Sequence, residues 1–347
     1  MIRGLGAALG LALAVSAGPA RPDMPPGTPV EVLNFNDLKG WARDDHAAAL
    51  TVFRETCPDL TDPGWGPLCA LAETQTNPRE FFEVFFRPVL IGGREPALFT
   101  GYYEPELQGA LHPDARFRYP LYRKPPELRA GEKWYTRREI EEQGLLRGRG
   151  LEIVWIDDPV DVFFLQIQGS GRVRLRDGSA LRVGYGGKNG QDYRSIGQEL
   201  VRRGVYKPHQ VSAQVIRAWV RRHPDEGREL LMHNPSFVFF REIGHVPADK
   251  GPLGAMNRSI TAMRTVAVDP DFTPLGAPVW IEKGGRGPLH RLMVAQDTGS
   301  AIKGAQRADI FYGTGDAAGR KAGEVRDGGR MVVLLPIETA LAMLPEG

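Results

Sequence analysis

Three aspartates near the C-terminal end of the chain have the side chains and positions that acid–base chemistry needs. Asp269, Asp297 and Asp309 each lie where a predicted strand meets a turn. Asp269 precedes a proline, and an aspartate at such a turn commonly accepts hydrogen bonds from nearby backbone amides. We therefore expect a structural role for Asp269, and the same turn chemistry is open to Asp297.

Asp309 has different neighbours, because the apolar run Ile310-Phe311-Tyr312 follows it instead of turn residues. Apolar surroundings penalise a carboxylate and raise its pKa. A carboxylic acid that stays protonated near neutral pH can donate a proton as a general acid. The residues alone leave a second interpretation open, in which Asp309 is an ordinary capping or paired carboxylate.

Other catalytic classes have weaker signals. The seven histidines are scattered without a metal-binding spacing, so we predict no metal site and no cofactor. Ser170 lacks the sequence context of a nucleophile elbow, and its flanking glycines are better suited to a tight turn or to backbone approach to a ligand. A net charge of +2 argues against a nucleic-acid partner.

The N-terminal half must supply the elements that position these groups. The pattern from about residue 36 to residue 91 is helical, and the aromatic residues in 79–86 are expected in the core. Residues 97–103 predict a short strand. A capping box at Thr136 and Glu139 predicts the start of a helix that Gly144 can end.

The middle of the chain combines predicted strands and helices. In 162–168, apolar and polar residues alternate, which predicts a strand with Gln166 and Gln168 pointing away from the core. Residues 171–185 predict a hairpin that turns at Asp177-Gly178. Helices are predicted over 195–203 and 211–222, and Pro224 would end the second.

The C-terminal part reads as short strands separated by loops rich in glycine and proline. This regular spacing favours a compact barrel over a parallel sheet covered by helices. The predicted strands are 237–241, 264–268, 279–282, 292–295, 310–312 and 331–335.

The N-terminus resembles a secretory signal peptide, with a charged start and an apolar run from Leu5 to Ala17. We expect residues 1–20 to be removed and the mature protein to be periplasmic, without a stable membrane span. Association of the mature protein with the outer membrane stays an open alternative, although no lipobox cysteine lies near the expected cleavage site. In an exported protein, Cys57 and Cys69 are expected to form a disulfide, the alternative being two buried thiols.

Six short motifs lie between about residue 97 and residue 335, and each would be weak evidence alone. They are Phe99-Thr100-Gly101-Tyr102-Tyr103-Glu104-Pro105, Gln166-Ile167-Gln168-Gly169-Ser170-Gly171, Gly184-Tyr185-Gly186-Gly187-Lys188-Asn189-Gly190, Tyr193-Arg194-Ser195-Ile196-Gly197, Asn234-Pro235-Ser236-Phe237-Val238-Phe239-Phe240 and Ala295-Gln296-Asp297-Thr298-Gly299-Ser300-Ala301-Ile302-Lys303-Gly304. In content and order they resemble the motifs of the MltA family.

The resemblance implies a mainly β fold. A double-psi β-barrel would be formed by 21–104 and 241–347, including a three-aspartate segment at about 264–336. A second, smaller β-rich domain, 105–240, would be inserted into it, with helices at the periphery. The substrate, a peptidoglycan glycan strand, would lie in the groove between the two domains.

The resemblance also implies a lytic transglycosylase. Asp309 would be its catalytic acid, with Asp297 positioning or tuning it. The enzyme would cleave the β-1,4 bond between MurNAc and GlcNAc and leave 1,6-anhydro-MurNAc ends during cell wall turnover. Sugar binding needs aromatic faces and polar groups along a groove. The residues proposed for this are Tyr102, Tyr103, Gln166, Gln168, Gly169, Ser170, Lys188, Asn189 and Lys303.

Two alternatives stay open at this point. Asp297 and Asp309 could act together with water, as in an ordinary two-carboxylate glycosidase. The chain could also be a non-catalytic peptidoglycan-binding protein. For each proposed sugar-binding residue, a core tyrosine or a loop-stabilising polar group is the structural alternative. Many family members carry a lipidated N-terminal cysteine, which this chain lacks.

Overall fold

The structure, a computed structural model, describes residues 24–244, 246–247 and 250–344. The predicted signal peptide, residues 1–20, lies outside the described residues. In the described part, none of the helices combines the length and the hydrophobicity that crossing a membrane requires.

Two sheets and a set of short helices make up the described chain. The strands are β1 (Val30–Val32), β2 (Phe86–Ile91), β3 (Ala97–Glu104), β4 (Glu106–Ala110), β5 (Tyr119–Tyr122), β6 (Glu152–Ile156), β7 (Gly171–Arg174), β8 (Ala180–Lys188), β9 (Val238–Glu242), β10 (Thr265–Val268), β11 (Pro278–Lys283), β12 (Leu289–Thr298), β13 (Arg307–Thr314) and β14 (Arg326–Pro336). The helices are α1 (His46–Thr56), α2 (Gly66–Thr74), α3 (Pro78–Phe85), α4 (Arg137–Glu142), α5 (Pro159–Gln168), α6 (Ile196–Arg202), α7 (Ala213–Arg222), α8 (Pro224–Met232), α9 (Gly315–Gly323) and α10 (Ile337–Ala342).

Six strands close into a barrel. Their order is β14-β11-β12-β10-β13-β3, and β14 pairs again with β3. The pairs β10–β12 and β3–β13 are parallel, and the other pairs are antiparallel. Apolar side chains such as Val266, Ile281 and Ile310 are fully buried and form one cluster among these strands. The expected mainly β fold, with a barrel, a second sheet and helices, is confirmed.

The second sheet has the order β5-β6-β4-β7-β8-β9. All its strands lie between residues 106 and 242, so the chain leaves the barrel after β3 and returns to it before β10. The proposed domain boundaries at 104/105 and 240/241 are compatible with this path and stay a prediction.

The N-terminal helices pack against the outside of the barrel, and the expected buried aromatic residues are there. Phe81, Phe82 and Phe86 are buried in a cluster that also contains Trp280 of β11. The helical pattern ends earlier than expected, because Phe86–Ile91 forms β2, which pairs with β14. Cys57 and Cys69 form the predicted disulfide.

The prediction of a strand over 162–168 is wrong, because these residues belong to α5. The side chain of Asp158 caps the helix by accepting from the Val160 amide, Pro159 occupies the first turn, and Gly169 ends the helix at φ 78°. These capping signals lie outside the alternating segment, so the pattern within it was misleading.

The other predicted helices and strands are present, and Pro224 has a second role that was not predicted. The Thr136 capping box begins α4, and the hairpin through Gly178 joins β7 to β8. Pro224 does not only end α7; it also begins α8, where its missing N–H costs nothing.

Candidate active site

A cleft opens between the barrel and the inserted part of the chain. Barrel strands β3, β10, β12 and β13 form one wall together with the loop that follows β12, and α4, α5 and the chain leading into β9 form the other. The cleft brings together residues far apart in sequence. It is lined by Tyr102, Arg137, Gln166, Ile167, Gln168, Tyr193, Asn234, Ser236, Val238, Ala267, Asp297, Thr298, Gly299, Ser300, Ala301, Ile302 and Asp309.

Asp309 lies on β13, paired in register with Thr100 of β3 on one side and Ala267 of β10 on the other. The Thr100 hydroxyl donates to Asp309 Oδ1 at 2.6 Å. The described hydrogen bonds include none to Oδ2. Burial raises the pKa of Asp309 to about 6, against the opposing effects of the Thr100 hydrogen bond and the charge of Arg307.

Arg307 does not neutralise Asp309 directly. Its guanidinium donates to the carbonyl oxygens of Leu98 and Ala308 and to the Thr100 hydroxyl. Asp309 takes part in none of the ion pairs found within 4.0 Å in the described chain. Its carboxyl can therefore hold a proton at mildly acidic pH, as a general acid must.

Asp297 lies near the end of β12, and both of its carboxylate oxygens have donors. Oδ2 accepts from the Tyr102 hydroxyl at 2.8 Å, and Oδ1 accepts from the backbone amides of Ala255 and Thr298 at 3.0 and 2.9 Å. Burial raises the pKa of Asp297 to about 6, and these three donors oppose the shift. Both oxygens of Asp297 thus have a hydrogen-bond donor, whereas only one oxygen of Asp309 does.

Comparisons with known proteins agree with this architecture. The profile of the MltA specific insert domain matches residues 98–241, and that of the 3D domain matches residues 264–335. The membrane-bound lytic murein transglycosylase A of Vibrio cholerae is 36% identical over 263 residues, 72% of this chain and 69% of that protein. The protein of the same name from Escherichia coli K12 is 39% identical over 247 residues, 68% of this chain and 65% of that protein.

The chain belongs to the MltA family. Among solved structures, a membrane-bound lytic murein transglycosylase from Agrobacterium tumefaciens is 35% identical, with a TM-score of 0.82 over 90% of this chain and 99% of that chain. E. coli MltA with bound chitohexaose is 30% identical, with a TM-score of 0.73 over 89% of this chain and 94% of that chain.

Asp269 lies outside the cleft of this MltA-family protein. It is only 2% exposed, and its carboxylate accepts from the Gly304 amide at 2.8 Å and from Lys303 Nζ at 3.0 Å. These contacts tie down the loop that connects β12 to β13, whose first half lines the cleft. Lys303 is exposed and does not line the cleft, so its proposed contact with sugar stays a prediction.

Of the proposed sugar-binding residues, Tyr102, Gln166 and Gln168 line the cleft. Tyr103 is engaged elsewhere, since its hydroxyl accepts from Arg217 at 3.3 Å. Gly169 and Ser170 follow α5 directly, but neither lines the cleft.

Lys188 and Asn189 lie away from the cleft. Asn189 is fully buried, and its amide nitrogen donates to the carbonyl oxygens of Tyr135 and Pro235. Its Oδ1 accepts from the Phe237 amide at 2.8 Å. These contacts favour a structural role for Asn189, whereas Lys188 is exposed at the end of β8.

Sequence reasoning missed two residues that shape the site. Thr100 belongs to one of the six MltA-like motifs. Its hydroxyl reaches Asp309 because β3 and β13 pair with these two residues in register. Arg137 follows the predicted N-cap of α4, and its place in the sequence gives no signal of a role in the site. It is 3% exposed and donates to the side chain of Gln166 in the cleft.

Proposed function

We propose that this chain is a lytic transglycosylase that cleaves the β-1,4 bond between MurNAc and GlcNAc in peptidoglycan and leaves 1,6-anhydro-MurNAc ends, in cell wall turnover. The observation that carries the proposal is the state of Asp309. Its carboxyl has a raised pKa of about 6, one oxygen with no described hydrogen bond, and a position in the cleft wall. Membership of the MltA family supports the substrate, because its named relatives are murein transglycosylases.

The reaction needs one acid that later acts as a base. Protonated Asp309 donates to the glycosidic oxygen while the bond from that oxygen to C1 of MurNAc breaks. The C6 hydroxyl of the same MurNAc then bonds to C1, and its proton passes to the Asp309 carboxylate. The acid is regenerated, no water is consumed, and the internal nucleophile has the entropic advantage of proximity.

Asp297 acts as a supporting anion in this proposal. The three hydrogen bonds to its two oxygens stabilise the carboxylate and oppose its protonation, so they make Asp297 a weaker base toward water. A two-carboxylate hydrolase needs a second group that is free to activate water or to attack C1. The hydrogen bonds of Asp297 therefore favour the single-acid mechanism. Its negative charge is suited to stabilising positive charge that develops at C1.

Tyr102, Gln166 and Gln168 are the proposed sugar-binding residues that line the cleft, and we assign them substrate contacts. A peptidoglycan substrate implies that the enzyme works on the periplasmic side. The predicted signal peptide at residues 1–20 would deliver it there.

Mass spectrometry of sacculus digests tests the reaction. Wild type should release anhydro-muropeptides, which are one water lighter than hydrolytic fragments. Asp309→Asn keeps the shape of the side chain but cannot donate the proton, so it should release roughly a hundredfold less or lower still. Asp316→Asn is the matched control, because Asp316 is an exposed aspartate in the first turn of α9.

Two outcomes would contradict the proposal. Products with reducing ends would indicate hydrolysis by the Asp297–Asp309 pair with water. A wild-type protein that binds sacculi but releases no soluble fragments, or an Asp309→Asn variant with full activity, would indicate a binding protein.

A further inference from the structure

A second cavity, larger than the catalytic cleft, lies within the inserted part of the chain, and we call it the side pocket. It lies among α4, α5, α8 and the strands β5 and β6, and its volume is about 850 Å³. This size is typical of sites that hold small ligands. Arg137 and Gln166 are the two residues that line both the side pocket and the cleft. The side pocket therefore adjoins the cleft, but neither Asp297 nor Asp309 lines it.

The buried part of the side pocket is apolar. Its side chains are at most 8% exposed and belong to Ile140, Leu146, Val160, Phe163, Leu231, Met232 and Phe237. Half-buried aromatic rings also line it, those of Tyr119, Tyr122 and Trp155. Such a surface is suited to packing against small apolar groups of a ligand.

The charged residues around the side pocket are not balanced. Five arginines and three carboxylates line it: Arg118, Arg137, Arg147, Arg221 and Arg228, and Glu141, Glu152 and Asp158. Two pairs are already formed, Arg137–Glu141 at 3.1 Å and Arg221–Asp158 at 2.7 Å. The other three arginines take part in no ion pair and no side-chain hydrogen bond among the described residues, and only Glu152 is left to oppose them. The excess of positive charge favours an anionic ligand.

The mouth of the side pocket is polar. Arg118, Arg147 and Arg228 are exposed, whereas none of the large apolar side chains that are exposed in the described chain lines the pocket. A surface that binds a lipid or an amphipathic helix presents such apolar side chains. The side pocket is therefore better suited to a small anionic chain than to a membrane or a partner helix.

The substrate of the proposed function carries a chain of this kind. In peptidoglycan, a short stem peptide is attached through the lactyl group of MurNAc, and it combines free carboxylates with the methyl groups of alanine. An extended peptide of four residues spans up to ~14 Å. Because the side pocket and the cleft share Arg137 and Gln166, a stem of this length extends beyond the wall between the two spaces.

We infer that the side pocket binds the stem peptide of peptidoglycan. Arg118, Arg147 and Arg228 hold its carboxylates, because a guanidinium and a carboxylate match as planar, bidentate partners. The buried apolar side chains contact the alanine methyl groups. This inference rests on the proposed function and deepens it, since it adds the peptide to the part of the substrate that the enzyme recognises.

Binding of a free stem peptide tests the inference without any cleavage. The probe is the tetrapeptide N-acetyl-L-Ala-γ-D-Glu-meso-diaminopimelyl-D-Ala, whose net charge is negative at neutral pH. The matched ligand is the same peptide with every carboxylate converted to an amide. Calorimetry on the whole protein at low ionic strength should give a Kd for the acidic peptide at least about tenfold lower than the Kd for the amide.

Arg118→Gln, Arg147→Gln and Arg228→Gln each remove one positive charge from the side pocket. These side chains are exposed and have no described partner, so the variants should fold, and thermal melting checks this. Each change should weaken binding of the acidic peptide by about threefold to tenfold and leave binding of the amide nearly unchanged. Arg286→Gln, exposed between β11 and β12, is the control for the lost charge and should change neither Kd.

The inference is overturned if the protein binds the two peptides equally, or if the folded pocket variants bind the acidic peptide as tightly as wild type. It is also overturned if phosphatidylglycerol vesicles bind through the same arginines and the peptide does not, because the pocket would then recognise a lipid headgroup. Release of anhydro-muropeptides with no peptide binding would refute the side pocket alone. Peptide binding without anhydro products would refute the transglycosylase alone.

Discussion

Asp297 and Asp309 face the same cleft, and burial raises the pKa of each to about 6, but their hydrogen bonds differ. Asp297 accepts three hydrogen bonds that favour its anion, and Tyr102 stays a neutral donor because burial and the charge of Asp297 raise its pKa far above the usual value. Asp309 accepts one hydrogen bond, from Thr100. The partners, more than the pKa values, assign the proton-donating role to Asp309.

The first prediction is an alkaline limb in the pH–rate profile. Asp309 must be protonated at the start of the reaction, so kcat should fall as pH rises through about 6, approaching a tenfold loss per pH unit. Initial rates of muropeptide release between pH 4 and pH 8 measure this. In Thr100→Val the limb should move to higher pH, because the lost hydrogen bond stabilises the anion. A rate that is constant from pH 5 to pH 8 would contradict the role of Asp309.

The second prediction concerns stability. The pKa of Asp309 rises from 3.8 to about 6 on folding, so the folded protein binds this proton more tightly than the unfolded chain does. The stabilisation that this proton provides is present below pH 4 and is lost as pH rises through about 6. Asp309→Asn, which cannot ionise, should therefore raise the free energy of unfolding by about 1–3 kcal/mol at pH 8 and leave it nearly unchanged at pH 4.

Denaturant titrations of both proteins at the two pH values measure this difference. Asp316→Asn should have little effect at either pH, because its side chain is exposed. An equal effect of Asp309→Asn at pH 4 and pH 8 would show that the raised pKa does not contribute to stability.

At the scale of elements, local capping signals determine where α5 begins and ends. The ends of loops are instead held by contacts between residues that are far apart in the chain. Asn189 is an example of the second kind. It follows β8, and its side chain connects the backbone at Tyr135, before α4, with the backbone at Pro235 and Phe237, in the segment that leads into β9. A polar residue in a glycine-rich loop was a reasonable candidate for binding sugar, but its partners are all internal.

The third prediction follows from these contacts. Asn189→Ala leaves the buried Phe237 amide and the Tyr135 carbonyl without their side-chain partner and removes one of the two donors to the Pro235 carbonyl, so it should lower the free energy of unfolding by about 2–4 kcal/mol. The kcat/KM of the folded variant on murein should change little. The matched change Lys188→Ala, at the exposed neighbouring position, should leave stability unaltered. A large fall in kcat/KM with normal stability in Asn189→Ala would restore the sugar-binding role.

At the scale of the whole molecule, the cleft depends on how the inserted part is held against the barrel. Glu104, fully buried at the end of β3, lies at this junction. It accepts from Arg172 of β7 at 2.8 Å and from the Thr314 hydroxyl of β13 at 2.7 Å, and it pairs with Arg182 of β8 at 3.1 Å. One carboxylate thus connects strands of both sheets.

The fourth prediction tests this junction. Glu104→Gln removes the charge that two arginines share, and it should cost about 3–5 kcal/mol of unfolding free energy, because largely buried cations lose their counter-ion. Glu106→Gln is the control. The Glu106–Arg174 pair lies two residues away in partly exposed positions, and its loss should cost less than about 1 kcal/mol. Equal costs in the two variants, measured by denaturant titration, would contradict a special role for the junction.

Much of this architecture could be predicted because it depends on neighbours in the chain. Regularly spaced short strands between loops rich in glycine and proline predicted the barrel, Thr136 and Glu139 predicted the start of α4, and the ordered motifs predicted the MltA family. Period and capping are local properties, so a single sequence carries them. The prediction of a strand over 162–168 was wrong because the deciding caps lay just outside that segment.

The roles of the three aspartates depended on the tertiary structure. Their partners are distant in the chain: Thr100 lies 209 residues from Asp309, and Tyr102 lies 195 residues from Asp297. A carboxyl pKa depends on burial and on the donors around it, and these exist only once the strands are paired. The motifs and the spacing of strands were enough to indicate the barrel, the family and the candidate acids, whereas the pairing of distant strands determines that Asp309 lines the cleft with one oxygen that has no described hydrogen bond.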